Sequence, residues 1–250
     1  MNQIIVITGT SKGIGKAIAN YYLDQNDVVI GCSRNESSIS HPNYRHFSLE
    51  VSDEKAVVSM IRAAKKEFGK IDILINNAGI ASMNHILTTS VETISKLFNT
   101  NFIGTFLFTR EVSKVMMKQK NGKIVNFTTV ATPLRLEGEA VYAASKSAIE
   151  NFTQTASKEL APFNITINAL GPTPIETDLI KAVPKNKIEE LLNKQTIKRF
   201  GTFEDIINVI EFFVDEKSKF ITGQIIYLGG VNNQWIIYLK NSKNLKQKMQ

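Results

Sequence analysis

One cysteine, Cys32, stands in a chain of 250 residues, so no intramolecular disulfide framework staples this protein. Histidine is scarce too: His41, His46 and His85 are scattered without cysteine partners, and no metal site is expected. No apolar run approaches the ~18 to 20 residues needed to cross a bilayer, so no membrane partner is expected. The first residues, Met1 to Ile7, show no basic stretch, long apolar segment or small-residue cleavage site, and the expected setting is soluble and cytoplasmic. A linker rich in proline, glycine or serine, a low-complexity tract and an internal repeat are all missing. With 43% hydrophobic residues, one large α/β domain is the better reading than two small ones.

The net charge of +7 invites a polyanionic partner. Its distribution argues against nucleic acid, because Lys240, Lys243, Lys246 and Lys248 supply four of those seven charges within a short basic tail. Such tails are mostly solvated. An ordinary folded body therefore ends in a basic tail, and ahead of that tail Trp235 to Leu239 is apolar enough to pack on a neighbouring subunit or is a frayed end.

Short β-branched runs recur at Ile4–Thr8, Val28–Gly31, Tyr44–Leu49, Ile71–Asn76, Gly122–Phe127, Ile165–Leu170 and Gln224–Leu228. Between them Gly15–Gln25, Asp53–Phe68, Val91–Gln119 and Tyr142–Leu160 carry apolar residues at helical spacing. This alternation predicts a doubly wound, Rossmann-like sheet of about seven parallel strands with helices on both faces. Ligands of such sheets bind at the carboxyl ends of the strands.

After the first strand comes Thr8-Gly9-Thr10-Ser11-Lys12-Gly13-Ile14-Gly15. Glycines let a turn close and let backbone approach a pyrophosphate, and the following helix N-terminus offers N–H groups to an anion. A purely structural turn is the competing reading. The second strand leads to Arg34 with no carboxylate before Glu36, and Lys12 adds a second cation, which favours NADP(H) over NAD(H) unless both are ordinary surface cations. Farther on, Tyr142 and Lys146 lie four residues apart and share one helix face. A cation at ~4 Å in an effective dielectric of ~20 lowers a phenol by about three units before desolvation takes some back, so Tyr142 is expected to serve as a general acid with a depressed pKa.

With Gly9-x-x-x-Gly13-x-Gly15, then Asn76-Asn77-Ala78-Gly79, then Tyr142-x-x-x-Lys146, the chain resembles the short-chain dehydrogenase/reductase superfamily over roughly residues 3–230, and within it the NADPH-dependent 3-oxoacyl-carrier-protein reductases. The resemblance implies a catalytic set of Tyr142, Lys146, Asn101 on a kinked helix, and Thr129 where the family has serine. For the cofactor it implies Gly9, Ser11, Lys12, Gly13, Ile14, Gly15, Arg34, Glu50, Val51, Asn77, Ala78, Gly79, Tyr142, Lys146, Pro172, Ile175 and Thr177. Thr173 departs from the family glycine after Pro172.

By the same resemblance the chain transfers a hydride between NADPH and a ketone, a 3-oxoacyl thioester or another carbonyl, reversibly with the secondary alcohol. A dehydrogenase of a sugar or polyol derivative is the alternative, and so is a catalytically weak nucleotide-binding regulator in which Thr129 and Thr173 blunt the chemistry. Residues 177–199 are expected as a substrate lid, with Leu179, Ile180, Val183, Ile188, Leu191 and Leu192 on an apolar face beside Lys181, Lys185, Lys187 and Lys194. The lysines either attract an acidic substrate handle or form a solvated face. The resemblance further implies a domain over residues 1–230 followed by a basic C-terminal extension over 231–250, and a homo-oligomer, tetramer or dimer, assembled through the segments 91–119 and 142–160.

Overall fold

A β-strand whose two faces are both covered must be apolar at every position, and the first strand shows this. Ile4–Thr8 (β1) is buried throughout. Ile4 and Val6 enter one core cluster and Ile5 and Ile7 the other, as the two-residue period of a strand requires. The computed structural model describes residues 2–176 and 185–231.

Six further strands complete one parallel sheet: β2 (Val28–Ser33), β3 (Tyr44–Ser48), β4 (Ile73–Asn76), β5 (Gly122–Phe127), β6 (Ile165–Gly171) and β7 (Ile225–Tyr227). Their order is β3-β2-β1-β4-β5-β6-β7, with Val6 of β1 facing Ile30 on one side and Leu74 on the other. The winding reverses between β1 and β4, and a crevice opens above their carboxyl ends.

The helices are α1 (Gly13–Asp24), α2 (Glu54–Phe68), α3 (Val91–Phe98), α4 (Gly104–Gln119), the short α5 (Ala131–Leu134), α6 (Ala140–Leu160), α7 (Lys185–Lys194) and α8 (Phe203–Val214). On one face α2 supplies Val57, Met60 and Ile61, and α4 supplies Phe108 and Val112, beside Ala156 of α6. On the other, α1 and α8 contribute Ile18, Tyr22, Ile206, Ile210 and Phe213. Tyr22 also donates its hydroxyl to Glu211, tying these two helices together.

The seven predicted strands all form, two with the expected bounds and five with an edge shifted by one or two residues. Val91–Gln119 is not one helix: a π-helical turn over Asn99–Ile103 separates α3 from α4. Thr105 donates its hydroxyl to the Asn101 carbonyl there, and Gly104 lies against Val51, where a side chain would collide. Such wide turns tend to occur at functional sites. Helix α8 has a sequence signal not used above, Thr202 capping the helix N-terminus with Asp205 reciprocating, followed by Ile206, Ile210 and Phe213 at helical spacing. No helix among the described residues is long and apolar enough to cross a membrane. Of the expected lid, Thr177, Leu179, Ile180, Lys181 and Val183 lie outside the described residues, as do Trp235 to Leu239 and the basic tail.

The capping box supports an exposed helix start with a double hydrogen bond. Thr202→Ala is expected to lower stability by about 1 kcal/mol, read as a fall of ~2 to 4 °C in Tm by differential scanning calorimetry.

Candidate active site

The glycine-rich turn after β1 is shaped by two residues in the left-handed region, Gly9 at φ 79° and Gly13 at φ 57°. Gly9 and Thr10 donate their N–H groups to the Cys32 carbonyl of β2. At Gly15 a side chain would run into the Gly9 carbonyl. Helix α1 starts at Gly13 with Lys12 extended and no side-chain cap, so its first turn keeps its N–H groups for another acceptor. An uncapped helix start, a turn open only to glycine and a neighbouring lysine together fit a pyrophosphate.

These residues line a cleft of about 270 Å³. Gly9, Ser11, Lys12, Gly13, Ile14 and Gly15 form its floor, Arg34, Glu50 and Val51 one wall, and Asn77, Ala78 and Gly79 the other. The sequence motifs did not indicate Ser33, Asn35, Leu49, Ile80 and Thr100, which line it as well. Each is next or next but one in the chain to a residue that the motifs did indicate.

Asn77, expected among the cofactor contacts, lines the cleft and also braces its turn. Its amide donates to the carbonyls of Thr8 at 2.9 Å and Gly9 at 3.3 Å, while the Ala78 N–H donates to the Thr8 hydroxyl. The end of β4 thereby fastens the glycine turn. Arg34 is largely exposed, 3.9 Å from Glu50, and Glu50 also accepts the Val51 N–H.

Beyond Gly79 the cleft reaches a cluster of polar side chains. Lys146 on α6 is buried and donates to the Phe127 carbonyl at the end of β5, 2.9 Å away. A side chain on Gly79 would stand 3.2 Å from the Lys146 Nζ and 3.4 Å from the Asn101 Oδ1. A side chain there would crowd this approach. The Thr129 hydroxyl, which follows β5 and accepts the Ala131 N–H, faces the Tyr142 phenol. Four side chains from α6, the π-helical turn and the end of β5 thus converge.

Asn101 is fully buried and its amide is wholly engaged. The Oδ1 accepts from the Ile80 N–H, and the Nδ2 donates to the Ile80 carbonyl and the Ser145 hydroxyl. Ser145 in turn donates to the Tyr142 carbonyl. Asn101 is a clamp between the 79–80 segment and α6. Ser145 was not among the sequence candidates, although it directly precedes Lys146.

The expected depression of the Tyr142 phenol is not what the fold produces. Burial pushes it up to about 12, with the neighbouring Thr129 hydroxyl acting in the opposite direction. Burial also pulls the Lys146 ammonium down to about 8, against the opposing Glu150 carboxylate. The sequence estimate assumed a close phenol–ammonium contact in a moderately polar medium. Here the ammonium turns to a backbone carbonyl, and desolvation dominates both groups.

Past β6, Pro172 accepts from the Val130 N–H, and Ile175 is buried in the core with its backbone bridged to Gly201. Neither borders the cleft floor; both stand at the Thr129 end. Thr173, in place of the family glycine, is buried and donates to Gln195, so its side chain anchors the segment following α7. Lys187 lies within ion-pair distance of Glu190 and Glu137, and Lys194 of Glu190. These two lysines are already neutralised by carboxylates. A smaller hollow of about 50 Å³ lies between Met83, Glu139, Pro174, Ile188 and Leu191.

Comparison with known proteins decides the family. The short chain dehydrogenase family profile matches residues 3–188. The chain belongs to the short-chain dehydrogenase family. It is an NAD(P)-dependent oxidoreductase acting on CH–OH and C=O groups. Among curated members, the 3-oxoacyl-(acyl-carrier-protein) reductase FabG of Staphylococcus epidermidis is 31% identical over 240 residues, covering 92% of this chain and 98% of its own. That of Vibrio cholerae is 32% identical over 234 residues, covering 91% and 96%. Among solved structures, the aldohexose dehydrogenase of Thermoplasma acidophilum superposes with a TM-score of 0.84 at 27% identity, covering 92% of this chain and 94% of that one. ElxO with NADP bound gives 0.83 at 30%, covering 94% and 99%.

Lys146 supplies a pH test. Its ordinary value is 10.5 and its folded value about 8, so between them the unfolded chain binds more protons and this group makes stability rise with pH. Tyr142 acts in the opposite sense above pH 10. Lys146→Met is expected to abolish the rise, so its gain in Tm over the unaltered protein is largest below pH 8 and shrinks towards pH 10.

Proposed function

We propose that this short-chain dehydrogenase is a reductase that prefers NADP(H) and reduces a small-molecule ketone, with Tyr142 as proton donor. One observation carries the reading: the buried Lys146 ammonium, on the helix that also carries Tyr142, stands beside Gly79 at one end of a glycine-lined cleft.

When bound, the nicotinamide supplies the hydride. Gly13 to Gly15 and the start of α1 would hold the pyrophosphate, Arg34 and Lys12 a 2′-phosphate, and Ala78 and Gly79 the adjoining ribose. Ile175 and Thr177 are assigned to the carboxamide, and Glu50 and Val51 to the adenine. The phenol keeps its proton at neutral pH and passes it to a substrate oxygen. Thr129 donates a second hydrogen bond to that oxygen, its methyl narrowing the space beside it. Lys146 stabilises the phenolate left behind. Asn101 holds the 79–80 segment and α6 in register, so that the ammonium and phenol keep their positions.

The chemistry of the acceptor is a 3-oxoacyl thioester or another ketone, a reading supported by similarity to the FabG reductases. Similarity to an aldohexose dehydrogenase favours a sugar derivative as the second reading. The partly exposed Ile103 at the end of the π-helical turn and Phe106 at the start of α4 support assembly as a homo-oligomer, and a cytoplasmic setting accords with the sequence.

Tyr142→Phe is expected to lower ketone reduction, followed at 340 nm, by about three orders of magnitude while NADPH still quenches or shifts fluorescence on titration. Retained turnover in that variant sinks the acid assignment. Arg34→Ala should weaken NADPH by about tenfold and leave NADH nearly unchanged. Equal losses for both nucleotides would make Arg34 an ordinary surface cation.

A further inference from the structure

Glu150 lies one helical turn beyond Lys146 on α6, partly buried beneath the site, and takes no part in the mechanism above. Its carboxylate accepts the Thr128 hydroxyl at 2.5 Å. Thr128 directly precedes Thr129, and its N–H donates to the Leu170 carbonyl of β6. The hydroxyls of Thr132 and Tyr227 face the same carboxylate without reaching hydrogen-bond geometry. Tyr227 in turn packs against Gly171, where any side chain would meet its ring. The carboxylate therefore sits where the ends of β5, β6 and β7 meet α6.

We propose that Glu150 is a positioning residue for catalysis: its carboxylate keeps the Lys146 ammonium charged from one turn below and, through Thr128, holds the strand end that carries Thr129.

A buried cation without a counter-ion tends to lose its proton. Facing Lys146 and its phenol partner, the titratable side chains among the described residues are Tyr142 and Glu150 on α6, Glu139 ahead of α6, and Tyr227 on β7 beyond Glu150. The remaining neighbours of the ammonium are neutral: the Phe127 carbonyl and the Asn101 amide. Of the carboxylates, Glu139 acts on the phenol, whereas Glu150 supports the ammonium. Residues i and i+4 of a helix lie near enough for this attraction without a direct salt bridge. Burial raises Glu150 itself, and the Thr128 hydrogen bond followed by the nearby hydroxyls and ammonium draws it back. The pair supports its own ionisation.

This role rests on the reductase reading only for its catalytic consequence, so the test has two arms. In the first, lysine side chains are labelled with carbon-13 at Cε, and the resonance missing from Lys146→Arg is followed with pH. Glu150→Gln is expected to lower the titration midpoint of Lys146 by about one pH unit, a tenfold loss of proton affinity. Equal midpoints overturn the proposal. In unaltered protein the same resonance should step at the pH where Glu150 takes up its own proton, a readout that stands even where the variant does not fold; no step overturns the proposal as well. In the second arm, the upper limb of the kcat profile for ketone reduction should move to lower pH in Glu150→Gln by a similar amount, with Glu150→Asp restoring part of it. Loss of stability with an unmoved profile would make Glu150 merely structural. If no ketone is reduced by the unaltered protein while the two midpoints differ, the substrate reading fails and the electrostatic role of Glu150 stands.

Discussion

The site depends on keeping one ammonium group out of water. Lys146 is buried, and its charge survives there because the carbonyl at the end of β5 accepts a hydrogen bond from it and a carboxylate lies one turn away. Removing a cation from water costs several kcal/mol unless hydrogen bonds and opposite charge replace the lost hydration. The surrounding architecture supplies both. Strand β5 ends at Phe127 beneath α6, Gly79 leaves space over the Nζ, and Asn101 locks the segment that carries Gly79.

The π-helical turn joins this constraint to the fold. One continuous helix from Val91 to Gln119 would keep Asn101 in a regular i→i−4 ladder. The wide turn instead sets its amide against Ile80 and Ser145, with Gly104 giving way to Val51. A local irregularity in the ladder thus becomes a clamp between two sides of the cleft. Asn77 does the same at the other end, spending its amide on the Thr8 and Gly9 carbonyls. Both asparagines shape the cleft by bonding backbone.

Much of this was legible in the chain. Strands buried on both faces must be continuously apolar, so the seven short β-branched runs marked the sheet, and glycines at 9, 13 and 15 marked the turn that only glycine can make. The gaps have physical causes. Leu49, Ser33 and Thr100 have side chains with no distinctive chemistry, and only the crossing of separate segments puts them on the cleft wall. The capping signal at Thr202 was present, but a polar residue before an apolar run is common and carries weight only once the helix is seen. The electrostatics were read with the wrong sign for Tyr142, because spacing reports which groups share a helix face and says nothing of the dielectric around them.

Sequence by itself determined what is local and periodic: strand and helix alternation, the turn open to glycine, and a phenol and an ammonium on one helix face. Each of these follows from backbone sterics or from the period of an element. Tertiary structure decided what depends on solvent exclusion and on segments distant in the chain. It set the burial that raises Tyr142 and lowers Lys146, the meeting of Asn101 with Ile80 and Ser145, and the placement of Glu150 under the ends of three strands. Desolvation is a property of the packed surroundings, and no residue carries it alone.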